Sequence, residues 1–147
     1  MDRSIVVVRV GSHLFGVPVE SARIVLGLPP ITPLPKAPPH LLGVMNHRGS
    51  VVPIIDLGRR LALAAEGGSK VFVVETQWGL AGLLVDDVLE VAEPLPAAED
   101  AAWVELNGPV EDIVRVRLAH LDSETSVDES LIVVLDLAAL LEAKLAA

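Results

Sequence analysis

The chain contains no cysteine and no tyrosine, and aromatic residues fill only 3% of its 147 positions. Without thiols there are no disulfides, no thiolate metal centres and no cysteine nucleophile. So few rings leave little on which nucleic-acid bases could stack. A basic face is also lacking: the net charge is −9 and the pI is near 4.8, whereas phosphate binding needs the opposite sign. Long apolar runs are missing as well. The stretches are about five residues, as at 131–135, against the ~20 that span a bilayer. The first run begins at Ile5 and is cut by Arg9, too soon for a signal peptide. A soluble, cytoplasmic protein is the expectation.

What is present is apolar sequence in short pieces. At 52% apolar and 21% charged the chain is no disordered tail, and its length suits one domain burying roughly 70% of its unfolded surface. Val-, Ile- and Leu-rich runs recur at 5–10, 14–19, 43–46, 51–55, 71–75, 80–85, 113–118 and 131–135. Many short strands between turn signals predict an all-β barrel or sandwich. Gly11-Ser12 and Trp78-Gly79 sit where hairpins turn. Two places read as helix: the exit after Asp56, and residues 136–145, where Leu137, Leu140, Leu141 and Leu145 share a face. Asp56 and Asp136 are the expected N-caps.

The two exits belong to an internal echo. Phe15-Gly16-Val17, with Ala22 and Val25 after it, matches Ala81-Gly82-Leu83 with Val88 and Val91, at an offset of 66. Residues 52–57 match 132–137 at an offset of 80. Self-similarity of this kind predicts two related β-units. The expected division is 12–68 for a first barrel and 69–135 for a second, with strand 5–10 and helix 136–145 packing across both. Residues 29–39 hold six of the eleven prolines, read as a stiff loop within one unit.

Catalytic chemistry does not announce itself. His13, His40, His47 and His120 show no metal-ligand spacing and read as surface or turn residues. Asp86 and Asp87 are adjacent, and neighbouring strand residues point to opposite faces. No nucleophile elbow, P-loop or dinucleotide fingerprint occurs. Neither a cofactor nor a metal is expected.

The run from Gly43 to Leu57 carries the functional signal. It reads Gly-Val-x-Asn-x-Arg-Gly, then Pro53, then Asp56-Leu57, and it resembles the CheW family, the coupling proteins of bacterial chemosensory arrays. Phe15-Gly16-Val17, residues 82–88 and residues 131–141 extend the resemblance along nearly the whole chain. It implies two pseudo-symmetric five-stranded SH3-like β-barrels around an apolar seam, and a non-catalytic adaptor. Implied partners are the cytoplasmic hairpin of methyl-accepting chemotaxis receptors and the regulatory domain of a CheA-type histidine kinase. By position, Ala22, Arg48, Val71 and Val88 would serve the receptor, and Ile24, Val25, Leu26 and Leu57 the kinase. There are departures: many relatives have glutamate at Ile24, and a glycine before the Leu118-Ala119 pair where this chain has Arg117. Residues 122–129 also form a longer, more acidic loop than a tight hairpin needs. Two other readings compete: a relative that binds receptors but not kinase, and an enzyme using Asp86/Asp87 and a histidine.

Charge adds an observation independent of the resemblance. Residues 1–70 carry eight Lys/Arg against four Asp/Glu, and residues 71–147 carry three against sixteen. Segregation of sign favours weak head-to-tail self-association, or contact with a homologous kinase domain.

Overall fold

The computed structural model describes residues 4–63, 68–95, 110–117 and 129–145. Along the chain these form β1 (Ile5–Val10), β2 (His13–Pro18), a 3-10 turn (Val19–Ser21), β3 (Ala22–Gly27), β4 (Leu41–His47) and β5 (Ser50–Asp56). A one-turn helix α1 (Leu57–Arg60) precedes β6 (Lys70–Thr76), β7 (Gly79–Val85) and β8 (Asp87–Ala92). Last come β9 (Val110–Arg117), β10 (Glu129–Leu135) and α2 (Leu137–Leu145). The strands make two five-stranded sheets, ordered β8-β1-β2-β10-β9 and β3-β6-β7-β5-β4, each curled as an SH3-like barrel.

Period-two alternation explains why both faces of the central strands are apolar. In β1, Ile5 and Val7 enter one barrel with Val114, Val116, Ile132 and Val134, while Val6, Val8 and Val10 face a seam. In β6, Val71 and Val73 enter the other barrel with Met45, Val52 and Ile54, while Phe72 and Val74 face the same seam. Helix α2 adds Leu137, Leu140 and Leu141 to that seam. Three apolar cores result, one inside each barrel and one between them.

The sheets divide the chain differently from its sequence repeat. The expected boundary at residues 68 and 69 is therefore corrected. Strands β6 and β7 pair with β3–β5, and β1 and β2 pair with β8–β10. Each barrel joins the first hairpin of one repeat to the last three strands of the other. A parallel pairing closes each exchange: β10 on β2, with Val134 opposite Gly16, and β5 on β7, with Ile54 opposite Gly82. The echoing glycines sit at this junction, where a side chain would collide. A Cβ on Gly16 would lie 2.6 Å from Ile5 Cδ1, and one on Gly82 2.7 Å from Ile54 Cδ1 and Val71 Cγ1.

The proline-rich segment joins β3 to β4, which lie at opposite edges of one sheet. It is clasped to β4 by two backbone hydrogen bonds between Thr32 and Val44, at 2.8 and 2.9 Å. Gly43, with φ of 148°, permits that approach, because a Cβ there would run into the Thr32 carbonyl. Asp56 accepts a hydrogen bond from the Arg59 amide at 3.3 Å and Asp136 one from the Ala139 amide at 3.2 Å, the geometry of N-caps. Arg60 donates to the Leu140 and Ala139 carbonyls at 2.9 and 3.2 Å, tying α1 to α2. Leu140 is the position that matches Arg60 at the offset of 80.

Candidate functional site

Strands β3 and β8 are the outermost strands of different sheets. Neither shows clean alternation, and both were absent from the strands expected from sequence. On β3, Ile24 is 36% and Val25 42% exposed; on β8, Val91 is 60% exposed. Val25 and Val91 occupy matching positions in the echo, as do Ala22 and Val88. The last two are half-buried and pack against the rim of the seam. Leu26 is half-buried against the interior of the barrel built from β3–β7.

Two residues expected at contact surfaces are not there. Val71 and Leu57 are both 0% exposed, Val71 in a barrel interior and Leu57 in the seam. Bringing either side chain out would cost about 1.5–3 kcal/mol of lost burial, so both are core residues. In each case strand or turn parity decides the matter, and position in a motif does not reveal it. Leu118, Ala119, His120 and the acidic stretch 122–128 lie outside the described residues.

Arg48 sits on the β4–β5 hairpin. His47 pairs with Ser50, leaving Arg48 and Gly49 as the two turn residues, with φ of 51° and 85°. Positive φ at both is the type I′ turn, whose twist suits a two-residue hairpin. Asn46 Oδ1 accepts the Gly49 amide at 3.0 Å and braces the turn. Beside it opens a cleft of about 380 Å³ lined by Arg23, Ile24, His47, Arg48, Ser50, Val73 and Leu80. Arg23, which nothing in the sequence singled out, forms an ion pair with Glu75 on this wall. A second hollow of about 300 Å³ lies between β5, β7 and α2, lined in part by Val51, Trp78 and Leu141.

The carboxylates at the crossover between barrels have structural partners. Asp86 accepts the Gly11 amide at 2.5 Å and lies 3.9 Å from Arg9. Asp87 accepts from Lys70 at 2.6 Å, and that hydrogen bond holds its carboxyl below the usual range. A general acid would need the opposite shift. Among the described residues His40 Nε2 is buried without a hydrogen bond, and burial, with Arg60 nearby, pushes its pKa down.

Two exchanged barrels, a seam capped by α2 and an Asn-x-Arg-Gly hairpin beside a cleft now stand together, and the family model for the CheW-like domain matches residues 4–145. The chain belongs to the CheW-like domain family. It is similar to a probable chemotaxis protein CheW of Rhizobium etli, 36% identical over 65% of this chain and 68% of the relative. It also resembles the protein FrzA of Myxococcus xanthus, 40% identical over 70% of this chain and 71% of that one. Among solved structures, the scaffolding protein TtCheW of Thermoanaerobacter tengcongensis matches with a TM-score of 0.75 and 28% identity. That match covers 97% of this CheW-like chain and 94% of the other. Among the described residues, no helix is long and apolar enough to cross a membrane.

Proposed function

We propose that this CheW-like protein is a non-catalytic adaptor that couples methyl-accepting chemotaxis receptors to a CheA-type histidine kinase in cytoplasmic receptor arrays. The observation that carries the reading is the pair of apolar edge strands. Ile24 and Val25 on β3 and Val91 on β8 are exposed on different sheets, which suits an adaptor holding two partners on separate surfaces. Ala22 and Val88, half-buried at the rim of the seam, together with Arg48, form the receptor side. Ile24, Val25 and Leu26 form the kinase side. Asp86 and Asp87, held by Gly11, Arg9 and Lys70, favour binding over catalysis.

The exchange of strands supports an electrostatic component. Residues 22–85, which hold every strand of the barrel built from β3–β7, carry six Lys/Arg and three Asp/Glu. The remainder carries five against seventeen. The sign therefore follows the barrels, +3 against −12, and favours weak head-to-tail contact with a second copy or with a homologous kinase domain. Such association should weaken as salt rises from ~50 to ~500 mM, through screening.

The test is a pair of pulldowns, one with a receptor signalling hairpin and one with the kinase regulatory domain. Capture by both supports the adaptor. Capture by the hairpin alone would make the protein a receptor-binding modulator, and capture by neither would overturn the reading.

A further inference from the structure

Twice along the strand order the chain passes from one barrel to the other, and the two crossings match at the offset of 66. The first is the 3-10 turn Val19–Ser21 between β2 and β3, and the second is Asp86 between β7 and β8. A β-bulge follows each. Arg23 is the extra residue of β3 against β6, and Leu89 is that of β8 against β1. Backbone geometry is thus repeated, but the fastening is not. At the second crossing Leu89 packs against a barrel interior, and the aspartates fix the turn. Asp86 accepts the Gly11 amide, its carbonyl accepts the Ser69 hydroxyl at 3.2 Å, and Asp87 pairs with Lys70.

At the first crossing no residue of the turn is fully buried and no side chain caps it. Backbone bonds hold Val19 to Ser4 and Ala22 to Val19. Among the described residues, the one side chain hydrogen-bonded to this turn is Arg23. A bulge re-aims its side chain, and here one guanidinium nitrogen reaches back to the Glu20 and Ala22 carbonyls, at 3.0 and 2.9 Å. The other terminal nitrogen pairs with Glu75 on β6, the sheet neighbour of β3. We propose that Arg23 is a positioning residue for receptor binding. It holds the Ala22 part of the seam rim in the form the hairpin meets, as Asp86 and Asp87 hold the Val88 part. This rests on the adaptor reading and adds a residue that acts through Ala22. The side chains of Arg23 and Glu75 are 41% and 52% exposed, so their pair adds little to stability. Its effect falls on binding, because a turn ordered beforehand need not be ordered by the partner.

Two measurements test this together: calorimetric titration of the full chain with a receptor hairpin fragment, and NMR relaxation of residues 19–22 in the free protein. Arg23→Ala should weaken binding about five- to tenfold. It should also lower the order parameters of the turn from about 0.85 towards about 0.6, with the melting temperature within about 3 °C of wild type. Arg23→Lys should recover only part of the affinity, since an ammonium lacks the planar fork that serves two carbonyls and a carboxylate at once. Glu75→Gln should weaken binding in the same direction, and adding it to Arg23→Ala should cost little further, since both undo one fastening. Affinity unchanged in Arg23→Ala would overturn the proposal. Affinity lost while residues 19–22 stay ordered would make Arg23 a direct contact and overturn the positioning role. Both results leave the adaptor reading standing. A wild-type chain that does not bind the hairpin would overturn the receptor-binding part of that reading and the role of Arg23 with it.

Discussion

The two barrels share a strand plan and differ at their surfaces. Matching strands occupy matching places in the two sheet orders, and a glycine faces the parallel junction in each. Yet one barrel is assembled from a net-positive part of the chain and ends in the Arg48 cleft. At the corresponding positions of the other repeat stand Glu90, for Ile24, and Asp128, for Arg48. Interior positions are held alike by the need to fill a small closed volume. Surface positions carry no such constraint, so the repeats diverged there in charge. Exchange of strands adds a second lesson: neither repeat can close a barrel alone, so the seam and both interiors form together.

The comparison breaks most severely at the clasp of the barrel built from β3–β7. Gly43→Ala should destabilise by about 3 kcal/mol in a denaturant melt, because the new Cβ meets backbone that cannot step aside. The paired glycines come next. Gly82→Ala should cost about 2 kcal/mol and Gly16→Ala about 1. The first crowds the stiff Val71 as well as Ile54, whereas the second displaces chiefly the flexible end of Ile5. Equal losses would mean that the two junctions relax alike.

Third are the caps. Asp56→Ala and Asp136→Ala should each lower stability by about 0.5–2 kcal/mol. The larger loss belongs to Asp56, which is buried and also pairs with Arg59 at 3.4 Å. Replacement by Asn, which still caps, should restore most of it. The smallest effect is titration of His40. Its folded pKa lies below the unfolded 6.5, so the unfolded chain takes up protons first on acidification. The melting temperature should fall as pH drops below about 6.5, and His40→Gln should flatten that part of the profile.

How much was legible can be judged from particular residues. Runs such as 5–10 and 71–75 gave themselves away because strands buried on both faces are continuously apolar. Strands β3 and β8 did not, since an edge strand with exposed Ile24, Val25 and Val91 has neither alternation nor an unbroken apolar run. Arg48 was legible from its hairpin motif. Its companions were not: Arg23 and Leu80 reach the cleft only because β3 and β7 sit in the same sheet as the β4–β5 turn. Val71 and Leu57 were misplaced on the surface because a motif position says nothing of which way a strand's pleat, or the first turn of α1, directs a side chain.

Composition and local pattern by themselves determined the all-β class, the turn at Gly11-Ser12, the caps at Asp56 and Asp136, and the existence of a repeat; the turn expected at Trp78-Gly79 falls one residue earlier, at Gln77-Trp78. Each depends on neighbours within a few residues, where backbone sterics and hydrogen bonding act directly. Which repeat supplies which strand to each barrel was decided only in three dimensions. Pairings such as Ile54 with Gly82 and Val134 with Gly16 join segments far apart in the chain. A strand's sequence specifies that its faces must be buried, but several partners could bury them. The choice falls to the arrangement that closes both barrels and the seam at once.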